Sequence, residues 1–234
     1  MARVTKEYDQ RLIEFLETAQ QLFFQKGYES TSVNDIIEQV GVAKGTFYHY
    51  FKSKEDLLDK LVRRFAEQTF EQVKKIVRQK NKNAMDKLRE FFITIRNLKL
   101  KNIELMKMLM KVLYNYKNLI LRHKMFKAHT RLLVPEFAKI IQQGKEEGIF
   151  NPVDALETAE MIFVMSTNLN ETVVELLLDI ENEPGNIDVI EKKIKVYEKS
   201  MERILGCAEG SLSVADRRVI EFFGEHIKQK GHHK

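Results

Sequence analysis

Two helix-start signatures, Ser32-Val33-Asn34-Asp35 and Ser53-Lys54-Glu55-Asp56, frame the part of this chain with the least conformational freedom. In each, a serine hydroxyl can accept from a first-turn N–H while an acid three residues on reaches back toward the cap. The first opens a helix carrying Ile36, Ile37 and Val40, which Gly41 ends. The second opens a long amphipathic helix through Leu57, Leu61 and Phe65 to about residue 80. What remains between them is a tight turn and one very short helix, 44–50. Upstream, Ile13, Leu16, Ala19 and Phe23 recur at three- and four-residue steps and mark a helix that stops at Gly27-Tyr28. Three helices of these lengths, the second and third joined by a glycine-containing turn, make a helix-turn-helix.

Strand-like alternation and Asn-Gly or Asp-Gly hairpin signals are absent, and proline occurs three times in 234 residues, so the whole chain reads as all-α. An Asn81-Lys82-Asn83 break leads into helical periods over 85–97, 103–114 and 119–143, with Pro135 expected to kink or restart the last. Asn151-Pro152 is expected to start a long apolar helix to residue 178, with its cap and first-turn proline in order. After the Pro184-Gly185 turn, a cap at 188–191 opens a helix to Leu205, and a cap at 213–216 opens a last one to 230. The expected division is a DNA-binding domain at 1–58 and a larger helical domain at 59–234.

Several functional classes are disfavoured. No run of eighteen apolar residues occurs, so no membrane span is expected, and the polar N-terminus lacks the apolar region of a secretory signal. The single cysteine, Cys207, excludes an internal disulfide and fits a reducing cytoplasm. The six histidines lack metal-ligand spacing, the tail His232-His233 included, so neither metal nor cofactor is expected. Phosphate loops, nucleophile elbows and HExxH are absent, and the neighbouring Glu146-Glu147 point apart on a helix, so an enzyme is not expected. Charge is uneven. Residues 1–58 hold seven Lys and Arg against nine Asp and Glu, residues 74–127 sixteen against three, and residues 134–202 six against fifteen. An acidic partner for the N-terminal region therefore depends on which few side chains face it, not on the net charge of +5.

The run Gly41-Val42-Ala43-Lys44-Gly45-Thr46-Phe47-Tyr48-His49-Tyr50-Phe51-Lys52-Ser53-Lys54-Glu55-Asp56-Leu57-Leu58, with Gly27-Tyr28 and Thr31-Ser32-Val33 before it, closely resembles the signature of the TetR family of transcriptional regulators. The resemblance is dense from Ile13 to Leu58. It implies a homodimer that binds a palindromic operator in double-stranded DNA, with repression as the default output. It also leaves open a role outside transcription, as in the family's division-inhibiting branch. The residues make the same sense unaided. Gly45 lets backbone N–H groups approach a phosphate or base edge. Lys44 adds charge beside it, and Thr46 offers a hydroxyl and a methyl to a base edge. Tyr48, His49 and Tyr50 carry polar tips suited to phosphates, while Phe47 and Phe51 are expected in the core. Lys54, in the first turn of the next helix, is expected on a phosphate. Asn34 falls where family members can touch bases, on a short side chain.

For the larger domain the resemblance implies a cavity for a small hydrophobic or amphipathic effector. Its expected lining is Phe92, Met106, Met110, Tyr114, Phe126, Met161, Met165, Asn168 and Glu171. The methionines are adaptable, the rings supply flat walls, and the polar stretch 166–171 interrupts an otherwise apolar helix. The basic excess over 74–127 raises an anionic effector, with a solvated basic surface as the alternative. Dimerisation is expected through 152–178 and 188–205, because the first is apolar nearly all round and must bury more than one side.

Overall fold

The computed structural model describes residues 2–228; the expected metal-weak tail and the final two residues of the last expected helix lie outside the described residues. All regular elements among the described residues are helical. They run α1 (Ala2–Lys26), α2 (Val33–Val40), α3 (Lys44–Tyr50), α4 (Lys54–Val77), α5 (Ala84–Lys101), α6 (Ile103–Leu113), α7 (Leu119–Glu146), α8 (Ala155–Leu178), α9 (Asn186–Leu205) and α10 (Arg217–Lys228). A 3-10 turn, Tyr116–Asn118, joins α6 to α7.

Two compact units result. The first takes 1–66 and 104–125, the second 67–103 and 126–234. The contact division first falls inside α4, after Ala66. The reason is in that helix: Leu57, Leu58 and Leu61 are buried for the first unit, whereas Val73 belongs to the core cluster of the second.

In the first unit Phe15, Leu16, Ala19 and Phe23 of α1 are buried with Ile36 and Ile37 of α2, and with Phe47 and Phe51 of α3 and its cap. The Ser32–Asp35 box closes α2: Asp35 N donates to Ser32 Oγ at 3.1 Å and Ser32 N to Asp35 Oδ2 at 2.7 Å. Gly41 ends it with φ 74°, where a residue with a Cβ would be strained.

The second unit is built on α5, α7, α8 and α9 around Leu88, Phe91, Leu133, Phe137, Ile140, Ile141, Ile162, Phe163, Tyr197 and Met201. Buried or half-buried carboxylates stitch its loops. Glu202 accepts from Leu212 N at 2.8 Å and Gly210 N at 3.1 Å, and Glu198 from Val214 N at 2.6 Å. Four expected boundaries are corrected. Asn151 does not cap α8, because its N–H donates to Leu205 O at 2.8 Å; Asp154 is the cap, accepting from Leu156 N and Glu157 N at 2.8 and 2.9 Å. Gly185 precedes α9, so Asp188 sits within its first turn. Asp216 Oδ1 accepts from Val219 N and starts α10, in place of Ser213. Pro135 neither ends nor restarts α7, its exposed ring sitting within one continuous helix.

Among the described residues α8 alone has the length and mean hydropathy of a membrane-crossing helix, although Glu157, Glu160, Asn168, Asn170, Glu171 and Glu175 interrupt it. Its inner stripe, including Ala159, Ile162, Phe163, Val174 and Leu177, is buried, while Met161 and Val164 stay 59% and 69% exposed.

Gly144 is fixed by close approach: a Cβ there would lie 2.0 Å from Cδ2 of Phe150, a ring only 3% exposed. Gly144→Ala is expected to destabilise the second unit by about 1–3 kcal/mol, read as a lowered midpoint in urea with the slope unchanged.

Candidate nucleic-acid interface

α3 has only seven residues and is held by aromatic packing on one side. Phe15 meets Phe47 and Phe51 edge-on at centroid distances of 5.8 and 5.5 Å, and Phe47 lies 5.2 Å from Phe51. At its C-terminal end Lys60 donates to the Tyr50 carbonyl while its ammonium lies 4.9 Å from the Phe51 ring. Burying Phe47 turns the opposite side outward, leaving Lys44, Gly45, Tyr48 and His49 exposed and Thr46 half-buried. Ala43, the residue before the helix, gives no side-chain cap; its carbonyl accepts from Thr46 N at 2.9 Å, and helix geometry gives the N–H groups of Lys44 and Gly45 no acceptor within α3.

Gly45 carries the most information. A Cβ there would meet nothing within 4 Å, and its φ is not in the left-handed region. Neither packing nor backbone geometry of the protein itself demands glycine. Glycine is also a poorer helix former than alanine.

The expected contact residues are partly reassigned. Lys44, Gly45, Tyr48 and His49 share the open face, Thr46 lies at its edge, and Asn34 is exposed on α2. Tyr50 is half-buried: the Tyr8 ring stacks on it at 4.5 Å with planes 22° apart and meets His49 edge-on at 6.0 Å. Lys54, expected on a phosphate, makes contacts within the protein. Its ammonium turns inward, donating to Tyr28 O at 2.7 Å and Thr31 O at 2.9 Å, and lies 4.3 Å over the Tyr28 ring. In the loop between α1 and α2 the Tyr28 carbonyl also accepts from Thr31 N at 3.3 Å, and Lys54 adds a donor to it and to the Thr31 carbonyl. Around it Thr31, fully buried, donates to Gly27 O at 2.7 Å. The second helix-start box is also shifted by one residue. Ser53 Oγ accepts from Asp56 N, but the Asp56 carboxylate accepts from Lys52 N at 2.8 Å.

The first turns of α1 were not expected at this surface. Glu7, Tyr8, Gln10, Arg11 and Glu14 line, with Thr46, His49 and Tyr50, an open recess of about 550 Å³ beside α3. The signal was present: Tyr8 lies seven residues before Phe15, on the same stripe of the helix. Lys52, exposed just past α3, was passed over as loop.

The expected effector residues fall in both units. Met106 is buried, and Met110 and Tyr114 are half-buried, in the 104–125 segment of the first unit, with the Arg122 guanidinium 4.6 Å over the Tyr114 ring. Phe92 and Met165 pack against the core of the second unit, and Phe126 and Glu171 are half-buried there. Met161 and Asn168 lie on the exposed side of α8.

Residues 15–61 match the family described as bacterial regulatory proteins, tetR family, and residues 101–177 the tetracyclin repressor-like C-terminal domain. The chain belongs to the TetR family. It is a helix-turn-helix transcriptional regulator, in a family that is not enzymatic. The HTH-type transcriptional regulator YfiR of Bacillus subtilis is 24% identical over 209 residues, 85% of this chain and 96% of that protein. The HTH-type transcriptional repressor KstR2 of Mycobacterium tuberculosis is 34% identical over 93 residues; the match spans 40% of this chain and slightly under half, 46%, of that relative. The fold recurs in a TetR-family regulator from Pectobacterium atrosepticum, with TM-score 0.64, 18% identity and coverage of 86% and 96% of the two chains.

The inward Lys54 sets an expectation for this TetR-family head. Lys54→Met should lower stability by about 1.5–3 kcal/mol through the carbonyls that lose this donor. It should leave the slope of log affinity against log salt unchanged, because no phosphate contact is removed. Thermal denaturation and a salt titration of DNA binding check the two halves separately.

Proposed function

We propose that this TetR-family regulator binds a palindromic operator as a homodimer, represses from it, and is released by a small hydrophobic or amphipathic effector. The observation that carries the DNA half is Gly45, a glycine the protein's own packing does not require, on the open face of α3. With α3 in a major groove, Lys44 and Tyr48 position the protein on phosphates, and Thr46 with the Gly45 backbone reads base edges. Asn34, His49 and Tyr50 border that surface, with Tyr50 held by Tyr8. Lys54 supports it from behind. Repression is carried over from the matched relative KstR2, a transcriptional repressor.

The dimer is supported by apolar surface. Met161 and Val164 of α8 and Val189 and Val196 of α9 are 41–69% exposed on two helices that pack together. One seven-residue reading helix touches too few bases for useful specificity, and a two-fold pair spaced by one DNA turn supplies the rest. Under this reading the protein acts on DNA in the cytoplasm. The effector acts by population shift, moving the dimer between two spacings by no more than its difference in affinity for them.

Gly45→Ala separates fold from function: it should stabilise the free protein by about 0.5–1 kcal/mol while weakening operator binding in a gel shift. A Lys44→Ala/Tyr48→Ala double variant that retained full operator affinity would overturn the assignment. Val164→Arg should shift the mass in light scattering from dimer to monomer and take operator binding with it.

A further inference from the structure

α5 and α7 run antiparallel inside the second unit, and their contacts step in register. Ala84 N donates to Glu147 Oε2 at 2.8 Å, Lys87 Nζ donates to Gln143 Oε1 at 2.7 Å, and Phe91 and Phe92 meet Phe137 at ring distances of 4.9 and 6.3 Å. The pairs climb α5 from residue 84 to 91 while descending from residue 147 to 137, toward the start of α7. Continuing eight residues, about 12 Å at the helical rise, brings Lys99 opposite His129. On α5 the core-facing stripe Leu88, Phe91, Phe92 and Ile95 ends in Lys99; on α7 the stripe Phe137 and Leu133 ends in His129 and Thr130. Two bases thus stand where the apolar interior stops.

Both are crowded by protein and half-buried. Burial pushes the Lys99 pKa down, and burial followed by the charge of Lys99 pushes His129 down to about 4. Among the described residues neither makes an ion pair or hydrogen bond with an acid. Beside them Thr130 Oγ1 is fully shielded with no partner. An enclosed cation without a counter-charge is costly, and the charge that would relieve it is an anion from outside the chain.

We propose that Lys99 and His129 form an anion-binding site that takes the acidic headgroup of an amphipathic ligand, its apolar body lying against Phe92, Ile95, Met165 and Leu169. Those four are half-buried and packed at the margin of the core, ready to cover an aliphatic chain. The proposal rests on the effector-responsive reading above and names the chemistry of the effector: a carboxylate or phosphate on an apolar tail.

The test uses the full chain with four probes sharing one tail: decanoate, decyl phosphate, 1-decanol and decyltrimethylammonium. Binding is measured by calorimetry, and release from operator DNA by gel shift. Decanoate or decyl phosphate should bind the native protein, and which of them binds tells carboxylate from phosphate. Lys99→Met and His129→Leu should each weaken that anion about tenfold or more, the loss of one charge-assisted contact, and leave 1-decanol unchanged. Lys99→Arg should retain it. Lys99→Met should melt at or above the native temperature, because an apolar isostere replaces an enclosed charge. This, with intact operator binding, separates a lost site from a lost fold. Equal anion affinity in both variants, or no anion binding to the native protein, overturns the site. If 1-decanol alone binds and releases DNA, the site falls and the effector-responsive reading stands. If an anion binds through Lys99 without releasing DNA, the site stands and that reading falls.

Discussion

A helix of seven residues has no stability of its own in water, because nucleation costs more than so few hydrogen bonds return. α3 exists because the Phe47 and Phe51 rings are clamped against Phe15, at ring distances under 6 Å, with all three effectively unexposed. That clamp decides everything on its far side. Once Phe47 points inward, helical geometry sends Lys44, Gly45 and Tyr48 outward together. Lysines complete the hold from beneath. Lys60 takes the carbonyl at the end of α3, and Lys54 the carbonyls of the loop between α1 and α2. A basic residue in a DNA-binding head is therefore not automatically a DNA contact; here two of them fasten the reading helix and its support.

How much of this was legible follows from the range of each interaction. The Ser32–Asp35 box, the Gly41 stop and the length of α3 are local, and all three were readable from a few consecutive residues. The inward turn of Lys54 was not, because its acceptors lie 23 to 26 residues away at Thr31 and Tyr28. Asn151-Pro152 matched a helix start better than Asp154 did, yet the Asn151 N–H belongs to Leu205 O on another helix. The Tyr8 stack on Tyr50 was visible only as periodicity, since an aromatic in a first turn gives no sign of which ring it will meet.

The effector residues show a different limit. Methionines and aromatics at helical spacing mark burial well but do not say which helix face will be covered. Met161 and Asn168 share the polar-interrupted α8 with Met165, yet the first two face outward and Met165 packs on the core. The stripe through Ala159, Ile162 and Phe163 sets that division, and only the packing of α8 on α5, α7 and α9 identifies it. Basic excess in 74–127 was similarly ambiguous. Most of those side chains are exposed or half-exposed, and the composition alone does not single out Lys99 from them.

Two features of the second unit cost folding free energy within the isolated chain: apolar surface on α8 and α9, and two enclosed bases at the end of α5 and α7. The first has its remedy in a second apolar face, and burying Val164 or Met161 side chains returns about 1.5–3 kcal/mol each. The second has its remedy in an anion. The two are not equivalent, because apolar contact is non-directional and persists at any occupancy, whereas a charge is relieved only while the ligand is bound. Under the proposed dimer and anion site, the permanent kind holds the assembly and the conditional kind the ligand, so occupancy biases the geometry of an intact assembly without dismantling it, which is the condition an effector-driven population shift requires.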